Sequence, residues 1–147
     1  MAASELLSVT EIREYASDYA PNNYLIDGEE FTDTYITLCR DLAVDEWNIV
    51  PPLTQSSLAT FPSKSILLYG TLWKMMDGKA LLLARNTMSY SDGGLQIPIE
   101  ERSELYKGLA RDFQAQFTAS VRALKTHLNM EAGWGYVSSD EATLPLF

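Results

Sequence analysis

The sequence predicts a mainly α fold: a four-helix bundle with a short β-hairpin between the last two helices and an extended C-terminal tail. Three observations lead there. Leu105, Leu109, Phe113, Phe117, Val121, Leu124 and Leu128 recur at steps of three and four. That is helical periodicity sustained over about thirty ångströms, at roughly 1.5 Å per residue. From Ile66 to Leu83, twelve of eighteen residues are apolar or aromatic and lie all round a helix, the pattern of an element buried on most sides. Ser8 and Glu11 spell a capping box, in which hydroxyl and carboxylate satisfy free backbone N–H groups at a helix start.

The first helix is expected over Val9–Tyr19, with Ile12, Tyr15, Ala16 and Tyr19 on one face and Pro21 ending it. The second is expected over Asp33–Trp47, capped by Thr32 and stopped before Pro51-Pro52. Its apolar set is Ile36, Cys39, Leu42, Ala43 and Trp47. The third runs from Pro62 to Asn86, and Gly70 and Gly78 permit close helix approach at a propensity cost of about 1 kcal/mol each. The fourth runs from Pro98 to Met130, with Glu100, Glu101 and Glu104 complementing its positive end. Lys107, Arg111, Arg122 and Lys125 are expected largely outside its apolar stripe. Between the last two helices, Asp92-Gly93-Gly94 supplies a tight turn flanked by alternating Met88, Tyr90, Leu95 and Ile97, which predicts the hairpin.

A chain of 147 residues, 46% hydrophobic and 21% charged, has the composition of one globular domain. The predicted division is a helical domain over 1–132 and an extended tail over 133–147. No basic, apolar leader opens the sequence, and Lys74, Asp77 and Lys79 in the middle of the third helix argue against a membrane span. Residues 1–55 hold eleven acids and two bases, Arg13 and Arg40, whereas 56–147 hold nine of each. The net charge of -9 therefore sits entirely in the first third. Such a surface is either a solvated face or one placed opposite a polyanion or a basic partner. It would line a DNA path rather than grip DNA.

Catalytic and metal-binding patterns are missing. Neither a dinucleotide nor a P-loop glycine pattern occurs. His127 reads as a structural helix-end residue and Cys39 as a small core side chain. Asp27-Gly28-Glu29-Glu30 lacks the ligand spacing of a calcium loop and reads as a turn. No enzyme activity, cofactor or metal is expected. Trp134, between two glycines, reads either as a cap on the core or as an interface anchor.

Two stretches carry a family resemblance. Tyr24-Leu25-Ile26-Asp27-Gly28-Glu29-Glu30-Phe31-Thr32-Asp33, followed by Trp47-Asn48-Ile49-Val50-Pro51-Pro52, is similar to a pattern in tailed-bacteriophage virion proteins. That pattern is an acidic turn, a helix start, a short helix and an aromatic-Asn-x-x-Pro-Pro exit. Ala80-Leu81-Leu82-Leu83-Ala84-Arg85-Asn86, the Ser91-Asp92-Gly93-Gly94 turn and the long last helix complete the likeness. Over residues 9–134 the chain resembles head–tail connector adaptor (head completion) proteins. It departs from them in a longer first connection and in the Gly-Trp-Gly tail.

The resemblance implies an adaptor-like helical domain in a non-enzymatic virion protein of the phage neck. Such a protein forms a homo-oligomeric ring, usually of twelve copies, below the portal protein and contacts tail or neck proteins. DNA passes through it without specific binding during genome ejection, and no membrane is involved. On this reading Leu68, Leu72, Trp73, Met76 and Leu83 contribute to a subunit interface. Glu11, Glu14, Asp41, Asp45 and Glu46 line an acidic lumen. Trp134, Tyr136, Leu144, Leu146 and Phe147 form a portal-docking arm that is mobile until assembly orders it. The rival expectation is a small acidic cytoplasmic regulatory module that binds one protein partner, as a DNA mimic would.

Overall fold

The computed structural model describes residues 6–23, 28–86 and 99–134. Four α-helices make up most of them: α1 (Val9–Ala16), α2 (Asp33–Ile49), α3 (Lys64–Arg85) and α4 (Ile99–Trp134), with a short 3-10 turn over Ala20–Asn22. The mainly α class is as the sequence predicts. No strand occurs among the described residues. The expected hairpin over 88–97 lies outside them, as does the tail from residue 135.

The capping signals act where they were read. The Ser8 hydroxyl accepts from Glu11 N–H at 3.2 Å, and the Glu11 carboxylate accepts from Ser8 N–H at 2.9 Å. Thr32 Oγ1 accepts from Tyr35 N–H at 3.3 Å, and Ser63 Oγ from Ile66 N–H at 3.5 Å. Because Ser63 is the cap, α3 starts at Lys64, two residues after Pro62. Helix α2 runs through Ile49, two residues beyond Trp47.

Helix α1 stops short of Tyr19, correcting the predicted end. Ser17 takes a left-handed conformation (φ 53°) and the chain turns there. The turn brings Asp18 back onto Arg13, whose Nη1 donates to Asp18 Oδ2 at 2.9 Å. Helix α4 runs past the expected end at Met130. Gly133 and Trp134 belong to its last turn, so the helix crosses the predicted 132/133 boundary.

Helix α3 is the hub, packed along α4 on one side and against α2 on another. Tyr69 stacks on Phe113 (centroids 6.5 Å apart), and Trp73 tilts against Phe117 (5.8 Å). Ser103 Oγ donates to Ala80 O at 3.1 Å while Phe117 packs at Gly70, so α3 and α4 run antiparallel. The core between them holds Ile36, Cys39, Ala43, Trp47, Leu67, Leu72, Met75, Phe117 and Val121. The apolar stripe of α4 is only partly used. Phe117 and Val121 are buried, Phe113 and Leu124 half-buried, and Leu105, Leu109 and Leu128 exposed.

Both α3 glycines mark close approaches. A Cβ on Gly70 would lie 2.8 Å from Ala43 Cβ and 2.8 Å from the Phe117 ring. A Cβ on Gly78 would lie 1.8 Å from the Tyr35 hydroxyl. The two sites differ in what can yield. The Tyr35 hydroxyl is the far end of a side chain, whereas Ala43 Cβ is fixed to its backbone and Phe117 is buried. Alanine at position 70 gains about 1 kcal/mol of helix propensity. It incurs overpacking of about 1–3 kcal/mol. Gly70→Ala should therefore lower unfolding stability, by up to about 2 kcal/mol, in urea titration. Gly78→Ala should be the milder of the two, and a stabilised Gly70→Ala protein would contradict this packing.

Candidate functional site

The acidic first third folds around its own two cations. Arg13 is buried beside four acceptors. Its Nη2 donates to Asp33 Oδ1 at 2.7 Å and to the Phe31 carbonyl at 2.6 Å, and lies 3.0 Å from Glu29 Oε2. Its Nη1 meets Asp18, as above. Burial by itself would lower the Arg13 pKa, but the Asp33 hydrogen bond and the charges of Glu29, Asp33 and Asp18 raise it on balance. Asp18 is buried too, accepting from the N–H groups of Glu30 (2.6 Å) and Phe31 (3.0 Å). Arg40 is buried and donates to Leu7 O at 2.7 Å.

The acidic turn is thus a structural knot. Glu30 extends it by accepting from Tyr106 Oη of α4 at 2.7 Å and pairing with Lys79 of α3 at 3.0 Å. No cluster of metal-ligating side chains occurs among the described residues.

The five carboxylates expected on one acidic wall divide into two groups. Glu11 pairs with Lys64, and Glu46 pairs with Lys74 at 2.7 Å. Glu14, Asp41 and Asp45 are exposed and form no ion pair among the described residues. Asp41 and Asp45 share an outer face of α2 with Leu38 and Leu42, which are also exposed. Since both bases of the first third point inward, the outer surface of α1 and α2 is acidic with little to offset it.

The α2 exit is held by a residue expected outside the apolar stripe of α4. Lys125 of α4 is buried, correcting its expected position outside the stripe. Its Nζ donates to the carbonyls of Trp47, Val50 and Pro52, the last at 3.0 Å, and to Thr54 Oγ1 at 3.4 Å. It also lies 4.6 Å from the Trp47 ring centroid. Burial lowers the Lys125 pKa. The carbonyls at the negative end of α2 and the Trp47 face favour the ammonium. Asn48 closes the same loop: its Oδ1 accepts from Ser56 N–H and its Nδ2 donates to Ser56 O, both at 2.9 Å. The Trp-Asn-x-x-Pro-Pro stretch is accordingly a loop clamp. In the sequence this α4 partner shows only as a lysine one helical turn after Val121, at the edge of the apolar run.

The expected interface set also divides. Leu72 and Met76 are buried by their own chain, while Leu68, Trp73 and Leu83 are half-buried. Large exposed apolar residues near them include Leu81 (62%) and Leu82 on α3 and Leu105 (68%) and Leu109 on α4, at one end of the antiparallel pair. Trp134 is the last residue of α4, and Tyr136, Leu144, Leu146 and Phe147 lie outside the described residues. Cys39 is buried in the core, and His127 is exposed beside Glu131 at 3.1 Å. No described helix is long and apolar enough to cross a membrane.

A cavity of about 230 Å³ opens where α2, α3 and α4 meet. Val50, Trp73, Phe117 and Val121 are its apolar lining; Glu46, Gln114, Thr118 and Arg122 are its polar lining. Lys74 Nζ lies 3.9 Å from the Trp73 ring centroid and holds Glu46 against that wall. Arg122 is exposed and forms no ion pair among the described residues.

No protein-family model, curated protein or solved structure matches the chain, so the likeness to connector adaptors rests on its sequence stretches alone.

Glu11 offers a direct electrostatic test. The Lys64 hydrogen bond, then the Ser8 N–H, lowers its pKa from 4.5 to about 2. A carboxylate with a depressed folded pKa stabilises the fold above its unfolded pKa, and that contribution disappears as pH falls through the folded value. The Glu11 contribution should be complete above about pH 5 and lost between pH 4.5 and about 2. NMR titration should find Glu11 well below the ordinary range, and Lys64→Met should move it upward. A Glu11 titrating near 4.5 in the unaltered chain would show that the pair does not form in solution.

Proposed function

We propose that this chain is a non-enzymatic structural protein of the phage neck, an adaptor that forms a ring below the portal, connects head to tail and lines the DNA channel. The observation that carries the reading is the segregation of charge. Arg13 and Arg40 are buried, which leaves Glu14, Asp41 and Asp45 exposed and without an ion pair among the described residues. Such a wall repels a polyanion and lets it pass. The exposed leucines near the end of α3 and the start of α4 supply apolar area for a neighbouring copy. The sequence resemblance adds the connector context and the usual count of twelve.

Size-exclusion chromatography with light scattering tests assembly. The chain should self-associate or bind a dodecameric portal ring, and Leu81→Asp with Leu105→Asp should abolish this while helicity by circular dichroism is retained. Replacing Asp41 and Asp45 by Lys should leave assembly intact and impair DNA passage in packaged particles. A protein that stays monomeric beside the portal and instead binds a basic partner in a salt-sensitive way would favour the acidic regulatory module.

A further inference from the structure

The geometry points to a docking site for the chain's own residues 140–147 in the cavity between α2, α3 and α4, on the same subunit. This goes beyond the ring proposal and stands without it. The site is built for an acidic–apolar segment. Trp73, Phe117, Val121 and Val50 offer an apolar surface, and the volume of about 230 Å³ suits one or two Leu- or Phe-sized side chains. Arg122 lies at the edge with no ion-pair partner among the described residues.

Residues 135–147 contain two acids, Asp140 and Glu141, and no base, followed by Leu144, Leu146 and Phe147. The Glu46 carboxylate on the lining is already paired with Lys74, so Arg122 is the lining charge left to meet these acids, and charge and polarity match the site in kind. They also match it in order. A segment leaving α4 at Trp134 and folding back along that helix meets Arg122 first and Thr118 and Gln114 afterwards.

The distances agree. From Trp134 to Arg122 is twelve helical residues, about 18 Å. From Trp134 to Asp140 is six residues, at most about 20 Å of extended chain. From Arg122 to the stretch between Thr118 and Gln114 is about 6–12 Å along the helix. From Glu141 to Leu144 is three residues, about 10 Å extended. Acid on Arg122 and leucine on Trp73 and Phe117 thus fall into register without slack. Because the segment is tethered, its effective concentration at the site is on the order of millimolar, which favours the subunit's own segment over a second copy's. The sequence alone predicts an arm that is free until assembly; the site gives that arm a place on its own subunit beforehand.

Hydrogen exchange on the full chain at low concentration tests this. Amides of 140–147 should exchange about tenfold or more slowly than in an unstructured chain, equally at two protein concentrations. Arg122→Glu, an exposed change that leaves α4 protection intact, should return them to the unstructured rate. Combining it with Asp140→Lys and Glu141→Lys should restore the protection. Leu144→Ser with Leu146→Ser should release the segment without touching the helices. Full-rate exchange in the unaltered chain, protection that grows with concentration, or protection indifferent to Arg122→Glu would each overturn the proposal.

Discussion

Gly70 stands where three helices meet, and the absence of its side chain sets how near they come. Ala43 of α2 and the Phe117 ring of α4 both occupy space that a Cβ would enter. With α3 that close to both neighbours, its all-round apolar sequence is covered from two directions by one chain. The aromatic pairs Tyr69–Phe113 and Trp73–Phe117 then fall into contact on either side of the glycine. The same approach fixes how far α4 slides along α3, and so brings Lys125 opposite the end of α2. Loosening the contact at Gly70 would take the aromatic pairs, the loop clamp and the cavity with it.

Cations do the joining at places where apolar contact does not reach. Arg13 ties α1 to the acidic turn, Arg40 ties α2 to Leu7, and Lys125 ties α4 to the loop after α2. A buried cation is costly unless its hydrogen bonds are made, and removing its acceptors leaves that cost uncompensated. Arg13 meets carboxylates as well as a carbonyl. Lys125 meets only carbonyls, a hydroxyl and an aromatic face among the described residues. The carbonyls at a helix C-terminus carry partial negative charge, which makes them fit partners for an ammonium.

Signals confined to a few neighbouring residues were legible in the sequence. The Ser8–Glu11 box, the Thr32 cap and the permissive glycines act as read, because each depends on partners one turn away or on a missing Cβ. The features that escaped depend on partners far along the chain. Lys125 reaches carbonyls more than seventy residues earlier, and a periodic pattern records only that it neighbours an apolar stripe. The end of α1 is decided by Asp18 meeting Arg13 and the N–H groups of residues 30 and 31. The acidic set divided for the same reason: Lys64 and Lys74, both on α3, claim Glu11 and Glu46. Apolar residues on a helix covered from two directions cannot be assigned to core or interface from spacing. On α3, Leu72 and Met76 belong to the core, while Leu81 and Leu82 are exposed.

Segregated charge also bears on how copies of such a chain can meet. Each carries a net charge of -9, so like surfaces brought together repel. At physiological salt that repulsion is confined to about 8 Å, so its strength depends on which faces approach. The first third holds the whole excess, and residues 56–147, which supply α3 and α4, are balanced. Contact through the exposed leucines of the α3–α4 end therefore joins surfaces of little net charge. Contact through α1 and α2 would press exposed carboxylates against carboxylates. In a ring built on the first kind of contact, the acidic helices are kept off the subunit joints and left to face whatever the ring encloses or adjoins. Charge placement and apolar exposure thus favour the same division of labour between the two halves of the chain.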